Sequence, residues 1–156
     1  MSLKLLSVAA VVALSVGFAG LSPDTAHAAK APIYTPVLNN VAVEGHDAVA
    51  YFTDKRPVKG SPEFKTTYKG AEFRFASAEN LAKFRANPTA YAPQYGGYCA
   101  WAVSQGYTAK GAANHWKVVN GKLYLNYNAD VQATWSKDVP GFIAKADTNW
   151  PTVLTK

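Results

Sequence analysis

The apolar positions change period several times along the chain. From Leu5 to Leu21 they run on without a charge (LLSVAAVVALSVGFAGL), behind Lys4 and ahead of Pro23-Asp24 and Ala26-His27-Ala28. A basic residue, an apolar run and an A-x-A triplet are the three parts of a cleavable secretory signal. The run sits near the lower limit of a bilayer span and is rich in Ala, Ser and Gly, so cleavage after Ala28 is expected rather than retention as an anchor. No twin Arg precedes it, which points to the general secretory route, and no Cys at the cut offers a lipid attachment point. The protein is therefore expected to be exported, periplasmic or secreted, with residues 1–28 removed.

Beyond Ala28 the pattern breaks into short elements. Residues 29–40 (AKAPIYTPVLNN) read as an extended lead-in. The apolar run at residues 48–53 (AVAYFT), after the turn-prone Glu44-Gly45-His46-Asp47, predicts a short strand, and residues 54–62 a loop. Residues 64–69 and 72–76 predict a hairpin turning at Lys69-Gly70, with Phe73 and Phe75 on one face. Ser77 is an N-cap for a helix at residues 78–86 that carries Leu81 and Phe84 on one face. Asn87-Pro88 ends that helix and starts a short turn holding Tyr91. Gly96-Gly97 predicts a flexible corner that lets backbone pass close to a neighbour, followed by helical turns at residues 98–104. Residues 115–119 and 122–127 form a hairpin about Asn120-Gly121, the strongest such signal in the chain. Asn128 caps a helix at residues 129–137, and Pro140 opens another running towards Trp150. Short strands mixed with short helices define an α+β class: one small domain of β-hairpins and several short helices. No apolar run after the signal is long enough to span a membrane.

Charge adds little. The net charge of +6 survives signal removal, because one base (Lys4) and one acid (Asp24) leave together. In the densest stretch, residues 54–85, bases and acids alternate, which reads as a solvated surface. Export argues against nucleic acid as the partner. Cysteine usage says more. Cys99 is alone, so no intrachain disulfide forms and packing alone must hold the fold. All four Trp and all nine Tyr lie beyond the signal and supply a core.

Three segments carry a family resemblance: DAVAYF, KTTYKGAEFRFAS and AENLAKFRANPTAY, within residues 47–91. They are similar to the YHS domain family in Asp47, Val49, Tyr68, Gly70, Phe75, Ser77, Glu79, Phe84, Asn87, Pro88 and Tyr91. The continuation, YGGYCAWAVSQG, the second hairpin and WSKDVPGFIAKADTNWP, resembles longer exported YHS-domain proteins. The resemblance implies a YHS-like domain over residues 41–151 with a C-terminal helical extension. It also implies an association with heavy metals, held by cysteines. Here those positions are Ala50, Ala76 and Leu81, which bind no metal. The scaffold is implied and the thiolate site is not.

Chemistry is then sought elsewhere. Cys99 follows Gly96-Gly97 at the expected start of a helix, where backbone N–H groups and the helix dipole would lower a thiol pKa. Tyr95, Tyr98 and Trp101 flank it as candidate pocket walls. The other reading of Cys99 is a small buried side chain under a glycine corner. After the signal the histidines are His46 and His115. With Cys99, and with Asp47 as an oxygen donor, they form a candidate set for copper or zinc. No acid/base pair, phosphate loop or nucleotide fingerprint stands out, so catalysis has less support than binding. The expected function is an exported YHS-like binding domain for a metal ion or small ligand near Cys99. The alternative is a structural or protein-interaction module with no small-molecule ligand.

Overall fold

The computed structural model describes residues 28–156. The expected signal, apart from Ala28, lies outside the described residues.

Residues 28–40 carry no helix or strand. The lead-in is nonetheless tied down. The Lys30 N–H donates to the Leu154 carbonyl at 2.8 Å and that of Tyr34 to the Gly96 carbonyl at 2.9 Å. A 3-10 turn at Ala42–Gly45 leads into a short helix α1, Ala50–Thr53.

Here the structure corrects the strand expected at residues 48–53. A six-residue apolar run fits a strand or a buried helical turn equally well. The carboxylate of Asp47 decides between them: its Oδ1 accepts from the N–H groups of Val49 (2.8 Å) and Ala50 (3.2 Å). These are the donors that a helix start leaves without partners.

The first hairpin pairs β1, Ser61–Tyr68, with β2, Ala71–Phe75. Lys69 and Gly70 turn it, both at positive φ. Ala71, Phe73 and Phe75 are buried and alternate with half-buried Glu72 and Arg74, as a strand with one face on the core must. Helix α2, Ala78–Ala86, begins at Ser77, whose hydroxyl accepts from the Asn80 N–H at 3.1 Å. Asn87 ends it and caps the single turn α3, Pro88–Tyr91, through Ala90 N–H.

The glycine corner forms a 3-10 turn at Gln94–Gly97, with Tyr95, Gly96 and Gly97 all at positive φ. Helix α4 spans Ala100–Ser104. The second hairpin joins β3, Ala112–Val119, to β4, Lys122–Asn126, through Asn120 (φ 50°) and Gly121 (φ 73°). Positive φ at both central residues is the turn that Asn-Gly favours. Asn128 caps α5, Ala129–Trp135, and Asp138 caps α6, Val139–Asn149.

Strand β4 divides two cores. Its Leu123 and Leu125 join Val49, Tyr51, Phe73, Phe75 and Phe84 in the first. Tyr124, between them, faces the second, with Tyr95, Tyr98, Val103, Trp135 and Val153. Period-two alternation thus lets one strand wall both halves. The described residues form an α+β fold of two hairpins linked by short capped helices.

Candidate functional site

Asp47 is fully buried, and hydrogen bonds occupy its carboxylate. Besides the two amides at the head of α1, its Oδ2 accepts from the Ala76 N–H at 2.9 Å and from Asn80 Nδ2 at 2.8 Å. One side chain thus pins α1, the end of β2 and α2 together. Four donors leave this carboxylate no free direction for a metal, so its role is structural.

Ala50 and Ala76, two of the positions where the resemblance places metal cysteines, both give their backbone N–H to this carboxylate. The scaffold draws them together. Their methyl groups, and the isobutyl group of half-buried Leu81, carry no donor atom. The residues present do not fit a thiolate-held metal.

The histidines belong to other places. His46 is half-buried, with Nδ1 3.2 Å from the Val43 carbonyl oxygen and its backbone bridged to Lys59. His115 is half-buried on β3, where the register shifts between Ala112 and Trp116. Among the described residues, no group of three or more His, Cys, Asp or Glu is placed to hold a metal ion.

Cys99 immediately precedes α4, as the sequence suggests, and is 1% exposed. Its N–H donates to the Ala109 carbonyl at 2.9 Å, and its backbone bridges Leu125 of β4. Its Sγ lies 3.7 Å from Asn126 Oδ1, which also accepts from the Trp101 N–H at 3.2 Å. The expected lowering of the thiol pKa is reversed. Burial raises it, and the amides of Ala102, Tyr127 and Trp101, which pull the other way, do not compensate. A helix of five residues offers few aligned peptide dipoles.

The thiol nevertheless borders a cleft of about 180 Å³, lined by Cys99, Trp101, Ala102, Tyr107, Ala109, Tyr127 and Val131. Tyr107 stands edge-on to Trp101, with ring centroids 6.3 Å apart. Tyr107 and Tyr127 remain 46% and 44% exposed, so they form a rim rather than a core. Lys110 Nζ sits 5.5 Å from the Tyr127 ring centroid. Of the three aromatics expected as walls, Trp101 lines this cleft. Tyr95 donates its hydroxyl to Asp147 at 2.8 Å, and Tyr98 donates to the Ala31 carbonyl at 2.9 Å. These two fasten α6 and the lead-in. Burial raises the pKa of both phenols, with the Asp147 carboxylate adding to the effect at Tyr95.

The sequence reading missed Tyr107, Ala109, Tyr127 and Val131. Tyr107 follows the Gly106 that ends α4, and Tyr127 follows β4. Nothing local marks either as sharing a cleft with Cys99.

Paired hairpins, capped short helices and an apolar cleft at one end define a small α+β domain. Residues 49–95 match the family model of the YHS domain. The matched segment holds half of the buried residues of the first core and stops at Tyr95, before Cys99 and its cleft. No curated protein and no solved structure matches the chain.

Proposed function

We propose that this protein is an exported YHS-domain binding protein that takes a small, largely apolar, ring-bearing ligand in the cleft over Cys99. The observation that carries the reading is the cleft itself: about 180 Å³, bordered by Cys99 and walled by Trp101, Tyr107 and Tyr127. That volume suits a benzene-sized group. Concave apolar surface with aromatic walls is the usual setting of a small-molecule site. The donor set supports a small ligand over a metal ion, because Cys99 belongs to no group of three or more His, Cys, Asp or Glu among the described residues.

Titration with indole and toluene, followed by amide chemical shifts, tests this. Shifts centred on Trp101, Tyr107 and Tyr127, abolished by Ala109→Leu, are expected. Absence of saturable shifts at these residues would overturn the reading in favour of an interaction module without a small ligand.

A further inference from the structure

Residues 36–39 form a tight turn closed by the Asn39 N–H on the Pro36 carbonyl at 3.2 Å. Its two central residues are Val37 and Leu38, which are 102% and 97% exposed. Such positions ordinarily go to Gly, Pro, Asn, Asp or Ser, each for a backbone reason. Two bare aliphatic side chains there break the local rule with no gain to the fold. Places of that kind are where function is to be sought.

The turn is rigidly mounted. Asn40 Nδ2 donates to the Gly70 carbonyl at 2.6 Å, the Asn40 carbonyl accepts from the Glu72 N–H at 2.8 Å, and Val41 bridges Glu72. The tip therefore projects beside the turn of the first hairpin. That face is basic. Lys59 and Arg74 share a hollow with Pro36, Asn39 and Val41, and Lys69 sits in the adjoining turn. Among the acids, Glu72 is engaged by both Lys65 (3.3 Å) and Arg74 (2.7 Å). The Glu44 carboxylate turns inward to the Ala113 N–H at 2.9 Å.

We infer that the Val37–Leu38 turn is a membrane-docking tip that inserts into the surface of an anionic bilayer while Lys59 and Lys69 meet the headgroups. A convex tip of two side chains is far smaller than the surface a stable protein partner needs. It suits shallow insertion, which needs apolar side chains and neighbouring cations. This inference is independent of the cleft over Cys99.

Co-sedimentation with phosphatidylcholine vesicles, with and without phosphatidylglycerol, tests it. Wild type is expected to bind the anionic vesicles, less so as salt rises. Val37→Ser/Leu38→Ser lowers the partition coefficient about tenfold or more, and Lys59→Gln/Lys69→Gln flattens the salt dependence. In a Cys99→Ser background, an environment-sensitive fluorophore on Leu38→Cys shifts to the blue on these vesicles, and one on Lys137→Cys does not. The label reads the turn itself, whatever the N-terminus contributes. A label at residue 38 that stays water-like would overturn the inference. So would a Val37→Ser/Leu38→Ser protein that sediments as wild type does. A change in solution mass in that variant, with no vesicle effect, assigns the turn to a protein contact and overturns it as well.

Discussion

The carboxylate of Asp47 accepts a 2.8 Å hydrogen bond from the side-chain amide of Asn80, thirty-three residues away. The same carboxylate holds the amides of Val49, Ala50 and Ala76. Asp47→Ala strands these donors, of which the amides of fully buried Val49 and Ala50 cost about 1–3 kcal/mol each. The expected loss is about 3–5 kcal/mol in the urea unfolding free energy. Glu79→Ala on the exposed side of α2 serves as a control, with little expected effect.

The same relationship predicts that a thiolate metal site can be built at Ala50, Ala76 and Leu81. Ala50 and Ala76 both point their N–H groups at one carboxylate, so side chains added there start close together. Ala50→Cys/Ala76→Cys/Leu81→Cys is expected to acquire stoichiometric binding of zinc or copper(I), measured by competition with a chromogenic chelator. Wild type is expected to show none at these positions. Failure of the triple variant to bind, while folded, would mean that the scaffold has diverged from the family's geometry.

The Cys99 thiol is held above its ordinary range by burial. A raised folded-state pKa means that the folded protein holds this proton more tightly than the unfolded chain. Its contribution to stability is complete below the unfolded thiol's pKa of about 8.5 and is lost as pH rises through the folded value. The urea midpoint should therefore begin to fall above about pH 8.5. Cys99→Ser removes that first step. It leaves the later fall due to Tyr51, Tyr95, Tyr98 and Tyr124, whose phenols are likewise raised by burial. Native Cys99 should also react with aromatic disulfide reagents far more slowly than in the unfolded chain. Equal rates would show that the thiol is open to solvent.

Gly96 sits at φ 61°, where a Cβ would collide with the Pro32 carbonyl. Its own carbonyl receives the Tyr34 N–H. Gly96→Ala is expected to cost about 2–4 kcal/mol, combining overpacking with left-handed strain. Gly70→Ala is the comparison: it shares positive φ but meets nothing within 4 Å, so its cost should be smaller. Equal costs would show that strain rather than close approach governs the corner.

Export is tested at the N-terminus. Protein recovered from outside the cytoplasm should begin at Ala29 by mass spectrometry. Ala26→Asp/Ala28→Asp should block processing, because the cut requires small side chains at both positions.

Much of the fold was legible because its signals span only a few residues. Ser77, Asn87 and Asn128 each satisfy the amide three positions on, and Asn120-Gly121 turns a hairpin by its own backbone preference. The one misread element, residues 48–53, failed because a short apolar run has no decisive period. Asp47 at its head was the available clue, read as a metal ligand rather than as a helix start. The YHS resemblance stands over residues 49–95 for the same local reason: its hairpin, cap and Asn-Pro stop are contiguous.

The sequence by itself determined the hairpins, the capped helices, the absence of cysteine at Ala50, Ala76 and Leu81, and the presence of a single thiol. Only the tertiary structure decided where that thiol sits. Tyr127, just after β4, and Val131, on α5, share a cleft with Cys99 and with Tyr107 of the loop after α4, a meeting that no local preference encodes. Burial, a property of the packed whole, sets the thiol's acidity against the direction that its place at a helix start implies.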